Sequence, residues 1–346
     1  MAIEPIILRS KPLRIQKPAI TPEFNGKTVI VRDHWDYVEM WLKKEKLTLA
    51  LEYWNQAERF YRSCNLKDSL SAPLLLYYCF LNATKALLTV KKLYFKESHG
   101  TSGNIAPGVT NLKNEFIKFK GSGILTALCN YYEEPCSGEK YSMKDLLYNL
   151  PFIHRYFNLT FPTGYPEMFI PVSDVRFMKI KGSKESWISA KLYNKYQTKN
   201  IQQKFDDLGY EIDNHIENQG VVIRKKKRFD WHLRGNEIKR NKLILNNYHK
   251  NIRKDFHYIY GDSTLWYLKI CNMKNAIQRD PSTIIFALMH RLSELSRYEP
   301  KKLGQHLNLK QNWLITEFIQ GSSIEFIDRI ACEITSQNIM NPAIRG

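Results

Sequence analysis

Residues Leu74 to Val90 read LLLYYCFLNATKALLTV, and no other stretch restricts the fold as much. As a helix it is apolar on nearly every face, so it has no side to give to water and must lie among other elements. It is 17 residues long and contains Asn82, Thr84 and Lys85. That is too short and too polar to span a bilayer, which asks for about 20 predominantly apolar residues. The segment therefore reads as the central helix of a soluble domain. Ser69 or Ser71 is placed to cap it, with Pro73 in the first turn where proline is tolerated. Asn82 is then expected to tie two helices together, and Lys85 to run its stem out to solvent.

Around this helix the pattern is mostly helical. Tyr37, Trp41, Trp54, Ala57 and Tyr61 follow a 3.6-residue period, with Lys43, Lys44, Glu45 and Lys46 as a solvated stretch between them. Near the end, helices are expected at about Ser282–Arg297, Gln311–Ile319 and Ile324–Thr335. The middle differs. VRFMKIKG and SWISAKLY alternate around Gly182-Ser183 as a hairpin does, Gln197 to Leu208 reads as a short amphipathic helix, and GVVIRKKKRF reads as a further strand. Four segments result: a Pro-punctuated arm (1–34), a helical N-terminal half (35–160), a basic β-containing insertion (161–260) and a helical C-terminal half (261–346). The expected fold is mainly α within the α+β class: a helical-bundle body with a small basic insertion.

Charge is the outlying quantity. Lys and Arg number 52 against 34 Asp and Glu, a formal net of +18. Such an excess points to a polyanionic partner. It concentrates between residues 224 and 254, where Arg224, Lys225, Lys226, Lys227, Arg228, Arg234, Lys239, Arg240, Lys242, Lys250, Arg253 and Lys254 face only Asp230 and Glu237, a local net of +10. Phe229, Trp231, Tyr248, Phe256, Tyr258 and Tyr260 interleave. Cations for phosphates and rings for bases, Trp231 among them, are the ingredients of sequence-tolerant nucleic-acid binding. The competing reading is a solvated basic face whose rings point into the core, and both stay open. DNA or RNA is favoured over a membrane, because the segment lacks a clear apolar helical face. The six cysteines form no CxxC pair, and no Cys/His spacing suits zinc, so no metal and no cofactor are expected. MAIEPIILRSKPLRIQKP at the start has no apolar run of secretory type, and the expected location is the cytoplasm.

Three stretches together resemble the YaaC-like family of bacterial proteins. They are SAPLLLYYCFLNATKALLTV with His99-Gly100, then NEFIKFKGSGILTAL with EKYSMKDLLYNLPFI, and finally IIFALMHRLSELSRYEP. The likeness covers roughly 50–155 and 280–335, while 160–260 matches poorly. It implies a helical domain related to HEPN-type bundles. Relatives with divergent middles imply an association with bacterial defence against phage. The HEPN-type ribonuclease signature, Arg followed by four to six residues and then His, is missing. The nearest pair is Arg253 and His257, which would share a helix face at that i,i+4 spacing.

His99 sits among Ser98, Gly100, Thr101, Ser102 and Gly103, a setting that suits an anion or a base, although such a histidine more often caps a helix or packs in a turn. Arg291 and Arg297 are expected in ion pairs with Glu294 or Glu317. No motif for a nucleophile elbow, phosphate loop or metal centre is present. The residues thus point to a non-catalytic nucleic-acid-binding or regulatory subunit of an anti-phage defence assembly. The alternatives are a degenerate HEPN-like, metal-independent ribonuclease and a scaffold docking an acidic protein. His99, Arg253 and His257 are the weak catalytic candidates.

Overall fold

The apolar run forms the helix Ala72–Val90, with Pro73 in its first turn. By length and composition this helix would suffice to cross a membrane. What decides its place is packing: the helices Thr48–Arg62, Pro281–Tyr298, Asn312–Thr335 and Ile124–Tyr131 all lie against it. Phe80 stacks on Phe326 with ring centroids 4.3 Å apart, and Cys79, Leu76 and Leu87 are fully buried. Each such aliphatic side chain is worth about 1.5–3 kcal/mol of burial. Asn82 does not bridge two helices; its side-chain amide donates to the Tyr78 carbonyl one turn back at 2.8 Å.

The structure is a computed structural model that describes residues 2–342 apart from 107, 194–195, 197–202, 204, 214–220, 232–237 and 262. The expected helix at Gln197–Leu208 falls largely on positions outside the described residues. The chain divides into two compact units. One comprises Met1–Val29, Glu167–Gln278 and Ser336–Asn338, the other Ile30–Pro166, Arg279–Thr335 and Ile339–Gly346.

The second unit holds the helices named above. It also contains His34–Lys44, Met143–Tyr148, His154–Thr160 and Pro300–Leu307, and a three-stranded antiparallel sheet of Thr101–Ile105, Glu115–Phe119 and Lys140–Ser142. The last helix is continuous over Asn312–Thr335, where two had been expected. Gly321-Ser322-Ser323 does not break it, and the two hydroxyls are satisfied within it by the Ile319 and Gln320 carbonyls three residues earlier.

The first unit overturns the expectation of a helical bundle with a small insertion. Its centre is an eight-stranded antiparallel sheet. Tyr210–Ile212, Val222–Lys225, Glu185–Leu192, Phe169–Ile180, Leu265–Lys269 and Phe256–Ile259 follow one another across it, with Ile3–Pro5 on Phe169–Ile180 and Phe229–Asp230 on Glu185–Leu192. The fold is α+β. The hairpin around Gly182 is present as expected, since its two strands are long enough to show alternation. The other strands have two to five residues, too few to betray a period, and they pair with partners far away in sequence. The helix Ile238–Ile252 sets Leu245, Tyr248, His249 and Ile252 into this unit's core, where Tyr248 and Phe229 lie 4.5 Å apart by ring centroid.

His249 is fully buried, and its Nε2 accepts the Gln16 N–H at 3.1 Å. Burial, with Arg253 one turn on, pulls the imidazole down to about 3. The unfolded chain takes up a proton below about pH 6.5 that the folded chain refuses. This group's stabilising effect is therefore full above pH 6.5 and is lost as pH falls from there toward 3, by up to about 1.4 kcal/mol per pH unit. His249→Gln, which still offers an acceptor, should give a shallower fall in urea-unfolding stability between pH 6.5 and 4 than the parent chain.

Candidate polyanion-binding face and histidine cluster

The basic residues of the sheet unit separate into two sets. Arg224, on the strand Val222–Lys225, donates to Glu211 at 2.8 Å and lies 3.7 Å from Asp213. Lys225 pairs with Asp255 at 2.6 Å over the Tyr210 ring, and Lys226 pairs with Asp206. Arg228 bridges Glu185 at 3.0 Å and Glu211 at 2.7 Å. Both Arg224 and Arg228 lie over the buried Trp187 ring. Arg253 is buried in the turn after the helix, donating to the carbonyls of Phe256 and Lys17. These side chains serve the unit's own structure.

The second set is open to water. Lys227, Arg240, Lys242 and Lys254 are exposed, and among the described residues none has an ion-pair partner. Lys250 is half-buried. The helix Ile238–Ile252 carries no Asp or Glu, and no acidic residue stands between Glu237 and Asp255. Its outward side presents Arg240, Lys242, Leu243, Asn247 and Asn251. Arg234 lies outside the described residues, and so does the side chain of Lys239. Across the whole sheet unit, 27 Lys and Arg stand against 14 Asp and Glu, so this unit holds +13 of the chain's net +18.

Five of the six interleaved rings belong to the core, and Tyr260 is half-buried. Phe229, Trp231, Tyr248, Phe256 and Tyr258 are all at most 7 % exposed. Trp231 offers no open face for a base to stack on. Nor do Arg253 and His257 share a helix face: the helix ends at Ile252, and His257 is buried on the strand Phe256–Ile259 with its ring edge-on to Phe169.

In the helical unit, His99 is placed by its own backbone. The Ser98 and His99 carbonyls accept the Ile124 and Leu125 N–H groups at 2.8 and 3.1 Å, closing the first turn of the helix Ile124–Tyr131. The loop comes this close because Gly100 and Gly123 lack side chains. Both have positive φ, +77° and +127°, and a Cβ on Gly123 would collide with the Gly100 backbone. The His99 side chain is left facing solvent, with Nδ1 2.5 Å from the Tyr77 hydroxyl. Behind it is His290, whose ring centroid lies 5.2 Å from that of His99 and 4.9 Å from that of Tyr77. Arg291 does not face this spot; it is held by Glu115, Glu294 and Glu299. Arg297 takes no carboxylate partner among the described residues and lies over the Tyr298 and Tyr78 rings, while Glu317 accepts from Trp313.

Burial lowers the pKa of both histidines, and the charges of Arg297 and Lys120 lower it further; His290 falls to about 3. Tyr77 and Lys120 were not legible as neighbours of His99, though His290 and Arg297, seven residues apart, share a helix face at a spacing visible in the sequence. Gly123→Ala should destabilise the fold by roughly 2 kcal/mol or more, because a left-handed position and a backbone collision coincide there; a calorimetric unfolding midpoint equal to the parent's would refute this account of the loop.

Among known proteins, a family model described as YaaC-like Protein matches residues 18–334, the middle of the chain included. No curated protein and no solved structure matches. With a match running through the sheet strands, the His99 loop and the long C-terminal helices alike, the chain belongs to the YaaC-like protein family.

Proposed function

We propose that the sheet unit binds a nucleic-acid backbone, and that the protein acts as a non-catalytic binding subunit, in keeping with a place in a bacterial defence assembly. One observation carries this reading: a helix whose inner side is locked into the core by Leu245, Tyr248 and Ile252 turns toward water a side bearing Arg240 and Lys242 with no acidic residue on the helix. Lys227 and Lys254 are the other exposed cations of the segment without an acid partner among the described residues. Solvated cations fixed on a rigid element contact phosphates at little ordering cost, and they discriminate little between sequences. Arg224, Lys225, Lys226 and Arg228 play no part in this reading, since carboxylates already hold them. Stacking on Trp231 plays none either.

Binding to labelled single-stranded RNA and DNA, followed by fluorescence anisotropy across a salt series, tests the proposal. Four phosphate contacts give a slope of log K against log salt of about −3 on single strands. The Arg240→Glu, Lys242→Glu, Lys254→Glu variant should fold normally, bind every sequence more weakly and show a flatter slope. Salt-insensitive binding, or unchanged affinity in that variant, would sink the nucleic-acid reading and favour docking of an acidic protein.

Trp231→Ala separates core from contact. Removal of this buried ring should cost about 3 kcal/mol of folding stability. At temperatures where the variant remains folded, its salt slope should match the parent's. A fully stable variant with lost affinity would restore the ring to the binding face.

A further inference from the structure

We infer that the surface formed by His99, Lys120 and Arg297, backed by Tyr77 and His290, binds a phosphate dianion, free or as a monoester. The case starts with charge. Lys85 is matched by Glu97, and Glu294 is engaged by Arg291 and by the Gly103 N–H at 2.9 Å. Lys120 and Arg297 are exposed, act electrostatically on His99 and have no carboxylate partner among the described residues. A phosphate dianion can meet two such cations at once and is held more strongly there than a singly charged carboxylate.

The donors are fixed in advance. The Lys120 N–H bonds to the Gly100 carbonyl at 2.9 Å, so Lys120 begins beside the His99 loop. Tyr77 has His99 as its hydrogen-bonding partner, and burial keeps the phenol protonated far above its ordinary range. In the tautomer in which the hydroxyl donates to Nδ1, the imidazole proton is on Nε2, the nitrogen left for solvent or a ligand. A neutral imidazole in this tautomer adds a donor to the site without adding a third charge.

His290 backs the site. It is 4 % exposed, and its buried Nδ1 makes no hydrogen bond and faces Oε1 of Glu294 at 3.7 Å. Its ring packs behind the exposed histidine, with centroids 5.2 Å apart, on the same helix face as Arg297. This inference does not depend on the sheet unit binding nucleic acid.

Histidine resonances of the full-length protein, followed by NMR during titration with inorganic phosphate, acetate, adenosine 5′-monophosphate and adenosine, test the site. Inorganic phosphate should shift His99 saturably, and acetate should not. Lys120→Gln and Arg297→Gln, both at exposed positions, should each weaken phosphate binding about tenfold or more, the loss expected for one charge-assisted contact. Tighter binding of the monophosphate than of inorganic phosphate would place a nucleotide in the site; equal binding would make the free ion sufficient, and either result agrees with the inference. No saturable shift, equal response to acetate, equal response to adenosine, or unchanged affinity in both variants would overturn it. The same titration in the Arg240→Glu, Lys242→Glu, Lys254→Glu chain keeps the outcome separate from polyanion binding by the sheet unit.

Discussion

The helical unit hangs on one buried cation. Arg291, only 4 % exposed, donates from Nε and Nη2 to Glu115 Oε2 at 3.0 and 2.8 Å, from Nη1 to Glu294 at 3.1 Å and from Nη2 to Glu299 at 3.3 Å. Glu115 is wholly buried on the central strand of the three-stranded sheet, and His306 reaches its other oxygen at 3.1 Å. Burial alone would raise the Glu115 carboxyl, yet the hydrogen bonds from His306 and Arg291 outweigh it and hold it below its usual range. One guanidinium thus joins a sheet and two helices. Such an ion pair adds little over a well-packed apolar pair, but loss of one member strands a charge in the interior at a cost of about 3–5 kcal/mol. Register and orientation are what it secures. The helix Pro281–Tyr298 is pinned with His290 turned toward Tyr77 and His99.

The sheet unit handles its charge differently. Arg224 and Lys225 on the strand Val222–Lys225, and Arg228 in the turn that follows, reach carboxylates on neighbouring strands and turns, and their charged groups lie over aromatic rings. Those on the outward side of the helix and in the turns beside it have no acid partner among the described residues. Formal charge counted along the chain overstates what a partner meets, because a cation already neutralised and half-buried attracts a phosphate weakly. What remains for a partner is the unpaired subset, and geometry alone selects it.

The candidate sites were legible to different depths for the same reason. A run such as RKKKR is visible whatever the fold, yet whether Trp231 stacks on a base or fills a core depends on which way one strand faces. His99-Gly100 stood out as a pair, but Gly123, 23 residues on, supplies the backbone gap that seats it, and Tyr77 and His290 come from two separate helices. Arg253 and His257 looked like a helical pair because i,i+4 spacing is a helix signal only if the helix continues, and here it stops at Ile252.

By itself the sequence determined that Leu74–Val90 is a buried helix, that a hairpin turns at Gly182, and that positive charge gathers between 224 and 254, because each depends on periodicity or composition within one short window. Tertiary structure decided the eight-stranded sheet, in which the arm strand Ile3–Pro5 pairs with Phe169–Ile180. It also decided which cations stay free and which residues surround His99. Short strands are stabilised by partners far along the chain, and an ion pair or a buried ring is a relation between distant segments, so no local pattern encodes either one.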